Sequence, residues 1–181
     1  MQLHTLLSLL LALMLSACVG VGVKGELTTE STAGGVVYTE AGFAFLKVGV
    51  EVGSLQTNLD GVDAGAMQAD VNNMGGKHGY EYITPYIGLF IPTSDYAESM
   101  LYLNYGIPML LGDSADSSSR SMELGWMFSV YDKSDIFAYL SLGYKWQHID
   151  GMDLGSTKED FNTEMLVLGF GIYFVSPPMH I

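Results

Sequence analysis

The residues whose types could carry chemistry are few. Among four histidines in 181 residues, His148 is followed two positions later by Asp150, the pair of types from which a general base could be built. By alternation His148 shares a face with Trp146, and the simpler reading is an interfacial residue bordering an aromatic belt formed with Tyr144. His78 lies among Gly75, Gly76 and Gly79, where a solvated loop side chain is the simpler reading. The chain has no P-loop, GxSxG, HExxH, CxxC or EF-hand pattern, so no nucleotide, hydrolase or metal signature is supported and no cofactor is expected. Seven Lys+Arg against 20 Asp+Glu, a net charge of −13, exclude a basic stripe able to neutralise phosphates along a nucleic acid.

The remaining reactive group is Cys18, the only cysteine, which permits no internal disulfide. It follows an uncharged, Leu-dominated stretch, residues 3–17 (LHTLLSLLLALMLSA), that is too short for a comfortable membrane-spanning helix and has the character of a secretory signal. The junction Leu15-Ser16-Ala17-Cys18 resembles the lipobox of bacterial lipoproteins. That resemblance implies a signal peptide over 1–17, a mature domain over 18–181, passage through the lipoprotein-export machinery, and acylation of Cys18 with palmitate-type chains. A plain signal peptide with a chance cysteine is the alternative.

Beyond Cys18, six charged residues alternate with small and aromatic ones: Lys24, Glu26, Lys47, Glu51, Glu123 and Lys145. The elements carrying them read as strands, because period-two alternation recurs along the chain without a helical-period amphipathic segment. In 121–131, Met122, Leu124, Trp126, Phe128 and Val130 share one face, and Glu123, Gly125, Met127, Ser129 and Tyr131 the other. The same pattern recurs in 136–149 and 163–175. Strands are expected near 19–28, 34–40, 42–56, 79–91, 99–111, 121–131, 136–149 and 163–175, with Glu40-Ala41-Gly42 as a tight turn between the second and third. Pro85 and Pro108 fall inside strand runs and require a bulge or rim position.

The spacing predicts an all-β fold, an eight-stranded antiparallel up-and-down transmembrane β-barrel. Short connections (40–42, 92–98, 132–135) alternate with long ones (57–78, 112–120, 150–162), as periplasmic turns alternate with external loops. The 22 Gly, 11 Tyr and 8 Phe make a poor solvated surface, whereas Gly20, Gly22, Gly49, Gly53, Gly88, Gly106, Gly125, Gly143, Gly169 and Gly171 on the less apolar face suit a narrow, filled lumen. Charges there must be paired or wetted. The six are therefore expected to form an internal ion-pair network with Tyr82, Tyr86, Tyr102 and Tyr139, although Glu26 and Glu123 could equally touch water near the outer rim.

With its alternation, loop asymmetry and last strand MLVLGFGIYF, the chain resembles the small outer-membrane barrels of the OmpA and OmpX type. The resemblance implies a bacterial outer-membrane location, lipid and lipopolysaccharide as neighbours, and recognition of the final strand by the barrel-assembly machinery. Together with the lipobox it puts a lipid anchor at the periplasmic face. The acidic loops, with Glu30, Asp60, Asp63, Asp70, Asp113, Asp116, Asp150, Asp153, Glu159 and Asp160, could bind divalent cations or remain solvated. The expected function is non-enzymatic: a plugged barrel contributing to envelope structure or surface interaction. Alternatives are an enzyme modifying lipid A or phospholipid through His148, a soluble lipocalin-like barrel with its apolar face inward, and a narrow channel.

Overall fold

A computed structural model describes residues 18–29, 33–43, 45–58, 77–93, 98–111, 119–133, 135–153 and 158–174. Among them eight strands run antiparallel: β1 (Cys18–Thr28), β2 (Ala33–Phe43), β3 (Leu46–Asn58), β4 (Lys77–Pro92), β5 (Ser99–Gly106, resuming as Met109–Leu110), β6 (Arg120–Lys133), β7 (Ile136–Asp153) and β8 (Lys158–Phe174). Each pairs with its chain neighbour, and β1 pairs with β8 in a ladder from Val19↔Phe174 to Thr28↔Met165, so the sheet closes. Closure pairs each described strand on both sides over most of its length, as a sheet immersed in hydrocarbon requires.

The alternation decides which face meets the membrane. Val19, Val21, Val23 and Leu27 of β1, Leu140 and Leu142 of β7, and Leu166, Leu168 and Phe170 of β8 all point outward and exposed. Leu140 is 50% and Phe170 40% exposed, the reverse of the inward apolar face that a lipocalin-like barrel needs. From Ile136 to Trp146 the outward row of β7 rises about 33 Å at ~3.3 Å per residue, and a tilt of about 40° leaves ~25 Å of height, the thickness of an outer-membrane apolar band. Tyr144 and Trp146 pack edge to face at 4.7 Å at its outer limit, and Trp126 stacks on Phe128 further down.

The structure corrects several sequence expectations. Glu40-Ala41-Gly42 is not a turn: β2 continues to Phe43, which pairs with Leu46 across a two-residue connection at 44–45. The outward alternation of Phe43 and Leu46 keeps both residues on the lipid side and extends the hairpin past the small residues. Residues 150–162 are not one long loop, since β7 and β8 pair as far as Asp153↔Lys158, past a bulge between Ile149 and Met152. A second bulge, between Ser129 and Tyr131, turns Tyr131 outward instead of into the lumen. β5 loses its ladder at Ile107-Pro108, because proline has no N–H to donate. The Ile107 N–H donates instead to the Pro85 carbonyl at 3.1 Å, and the register resumes at Ile83↔Met109.

Candidate functional site

Inside the barrel, tyrosine rings lie over glycines of adjacent strands. Gly53 faces Tyr82, Gly49 faces Tyr86, Gly20 faces Tyr173, and each is a direct cross-strand pair. Tyr38 spans both Gly22 and Gly171, and Tyr102 spans both Gly125 and Gly143. A Cβ on Gly125 would come within 2.5 Å of the Tyr102 ring, and one on Gly53 within 2.6 Å of Tyr82, so these positions admit no side chain without displacing a ring. The glycines thus make room for phenols that reach into the lumen, and those of Tyr82, Tyr86, Tyr102 and Tyr173 end on carboxylates.

Those carboxylates belong to a chain of ion pairs across the lumen. Lys24 Nζ donates to Glu123 Oε2 at 2.7 Å and to Glu51 Oε2 at 3.2 Å. Glu51 also accepts from Lys145, whose Nζ reaches Glu26 Oε1 at 2.8 Å. The sequence Glu123–Lys24–Glu51–Lys145–Glu26 therefore links β6, β1, β3 and β7. The Tyr102 hydroxyl caps one end by donating to Glu123 Oε1 at 2.7 Å, and the Tyr82 hydroxyl caps the other by donating to Glu26 Oε2 at 2.6 Å. All five charged residues are buried, and Glu26 and Glu123 do not reach rim water.

Of the six predicted residues, Lys47 stands outside this chain. It pairs with Glu40 at 3.0 Å, and Glu40 also accepts from the hydroxyls of Tyr86 and Tyr173. Glu40 is hidden in the sequence by its place beside Ala41-Gly42, which reads as a turn. Tyr139, expected in the network, packs instead against Tyr173, edge to face at 5.5 Å, in an apolar cluster with Met127 and Tyr102. The lumen phenols also include Tyr38 and Tyr173, both beyond the expected network, and Lys24 lies 5.2 Å over the Tyr38 ring.

Among the described residues the buried glutamates, Glu26, Glu40, Glu51 and Glu123, outnumber the buried lysines by four to three. Between the two ion clusters a cavity of about 10 Å³, roughly one water in size, is bounded by Lys24, Glu40, Lys47 and Asn104. Above and below, Leu55, Tyr82, Ile149, Met165 and Val167 fill the outer half, and Met127, Tyr139 and Tyr173 the inner half. Chemically, this interior holds buried charges in fixed pairs.

His148 faces outward at the external end. Its Nδ1 lies 2.8 Å from Asn162 Oδ1, and Arg120, His148 and Asn162 form one cross-strand row. The Asp150 backbone N–H donates to Ser119 Oγ at 3.1 Å. Cys18 opens β1, half-buried opposite Gly42. Among the described residues no group of three or more His, Cys, Asp or Glu could hold a metal ion. Residues 1–17, the His78 side chain and most of the acidic loops (Glu30, Asp60, Asp63, Asp70, Asp113 and Asp116, with the side chains of Asp153 and Glu159) lie outside the described residues.

The sequence matches no protein-family model and no curated protein. Solved structures do match. A de novo designed transmembrane β-barrel aligns over 86% of this chain and 94% of its own, with 12% identity and a TM-score of 0.53. The N-terminal β-barrel domain of Pseudomonas aeruginosa OprF aligns over 87% and 97%, with 10% identity and a TM-score of 0.50. The attachment invasion locus protein Ail of Yersinia pestis aligns over 87% and 97%, with 13% identity and a TM-score of 0.47. The chain has the closed eight-stranded antiparallel fold of the small outer-membrane β-barrels.

Proposed function

We propose that the protein is a non-enzymatic outer-membrane lipoprotein, a plugged barrel anchored through acylated Cys18 at the periplasmic face, that contributes to envelope structure and displays acidic loops to the exterior. The observation that carries this reading is the lumen. A row of five alternating charges, capped by phenols and bordered by apolar clusters, crosses the lumen among the described residues, and beside it lies a water-sized gap where a channel would need continuous space.

The lipid anchor rests on the residues before Cys18 and on the even strand number, which brings both barrel ends to one side. Residues 1–17 act as the export signal in this reading, and 18–181 as the mature domain. The outward Phe174 at the end of β8 is the feature offered to the barrel-assembly machinery, and lipopolysaccharide surrounds the outer rim. Divalent cations bridging the acidic loops to lipid phosphates complete the picture.

Three measurements test it. The folded protein should migrate differently on gels before and after boiling, and should give no conductance above background in planar bilayers. Steady single-channel currents would refute the plugged lumen. Radiolabelled palmitate should enter the wild type and not Cys18→Ser; equal labelling of both would refute the anchor.

A further inference from the structure

At the outer edge of the apolar band, the lipid-facing side of β5 to β8 carries a cleft of about 490 Å³. Its outer end holds the row Arg120, His148 and Asn162, and one step toward the membrane centre lie Tyr105, Met122 and Trp146. Resting on the outer-membrane reading of the proposed function, we propose that this cleft holds the phosphate-bearing headgroup of an outer-leaflet lipid, with Arg120 as the principal anion ligand.

Three observations converge. The first is charge: in a chain of net charge −13 whose lysines 24, 47 and 145 are buried in pairs, Arg120 is exposed and forms no ion pair among the described residues. A planar guanidinium donates two parallel N–H bonds to one phosphate, which a lone point charge does not. The second is height. Arg120 and His148 sit just above Trp146 and Tyr144, the level at which apolar side chains give way to headgroups. The third is division of the cleft by polarity. Met122, Tyr105 and Trp146 offer apolar contact to the upper part of an acyl chain, while Asn162 and His148 offer polar atoms beside Arg120. The acid in the lining, Glu164, accepts the Tyr144 hydroxyl on the membrane side of the row, and Asp150 lies beyond it toward solvent. Lipid packed against the outward-facing Tyr105 and Trp146 lowers the local dielectric and strengthens a phosphate–guanidinium contact relative to one in open water.

The test uses the full mature chain folded in micelles of an uncharged sugar-headgroup detergent, which contains no phosphate. A phosphorylated disaccharide lipid of the lipid A class is titrated in, and bound lipid is counted by native mass spectrometry. The wild type should retain it about tenfold better than its dephosphorylated analogue. Arg120→Ala should erase that preference, Arg120→Lys should keep part of it, and Lys133→Ala, at the opposite rim, should leave it intact. Equal retention of the two lipids by the wild type, or an unchanged preference in Arg120→Ala, would overturn the site. Inorganic phosphate competing as effectively as the lipid would overturn the lipid assignment. A boil-sensitive gel shift distinguishes the failures: a chain that shifts but shows no preference is a barrel without this site, whereas a chain that never shifts defeats the barrel reading and this one with it.

Discussion

Lys145→Met removes the cation on which the lumen network turns. Lys145 donates to Glu26 Oε1 at 2.8 Å, to Glu51, and to the Tyr82 hydroxyl at 3.3 Å, and it is 1% exposed. Methionine fills nearly the same volume, so the loss is electrostatic rather than a cavity. Glu51 keeps Lys24 at 3.2 Å, but among the described residues Glu26 is left with the Tyr82 phenol alone, at 2.6 Å. Orphaning one partner of a buried pair costs about 3–5 kcal/mol. With a urea slope of about 2 kcal/mol/M, the unfolding midpoint should fall by about 2 M. Equilibrium unfolding from vesicles, followed by the fluorescence of Trp126 and Trp146 and by gel mobility, measures the shift. Adding Glu26→Gln removes the stranded carboxylate and should recover about 2 kcal/mol. A single variant within about 1 kcal/mol of the wild type, or a double variant less stable than the single, would refute the network as a stabilising unit.

Other substitutions probe packing, orientation and the second ion pair. Gly125→Ala drives a methyl into the Tyr102 ring and should cost about 1–3 kcal/mol, while Gly35→Ala, where nothing lies within 4 Å of the added carbon, should leave the urea midpoint unchanged. Leu142→Arg, on the outward face near the middle of the apolar band, should cost about 2–4 kcal/mol in the same unfolding assay, and Ile136→Arg at the rim about 1 or less. Glu40→Gln should weaken the barrel although Glu40 lies near a hairpin, because Lys47 then loses its carboxylate partner; an unchanged midpoint would show that Tyr86 and Tyr173 suffice without the charge.

The strands were legible where alternation is strict. Met122 to Phe128 and Leu166 to Phe174 expose their apolar members in the structure as their spacing requires, and the orientation of the barrel follows from them. Turn chemistry misled where small residues serve packing. Gly42 reads as a turn, yet a Cβ there would meet the Phe90 ring at 3.3 Å, so its size makes space for an aromatic neighbour. Glu40 was lost to the site with it. Bulges are equally silent, since one inserted residue leaves no compositional mark: Tyr131 alternates with Ser129 and Met127 in sequence but faces outward. The six charged residues could be gathered by parity alone. Which lysine meets which glutamate depends on strand stagger around a closed sheet, information that lies in the pairing register and not in any one strand.

The junction of β1 with β8 sets a rule for biogenesis. Val19 meets Phe174, so the first and last strands of the cylinder complete each other. Until translation delivers the final segment, two rows of amide and carbonyl groups have no mates, and neither hydrocarbon nor a neighbouring chain is a safe place for them. Closure of the cylinder must therefore come late in folding. Contacts so distant along the chain make that step slow, and truncating even the last few residues of β8 should leave an aggregating ribbon instead of a shortened barrel.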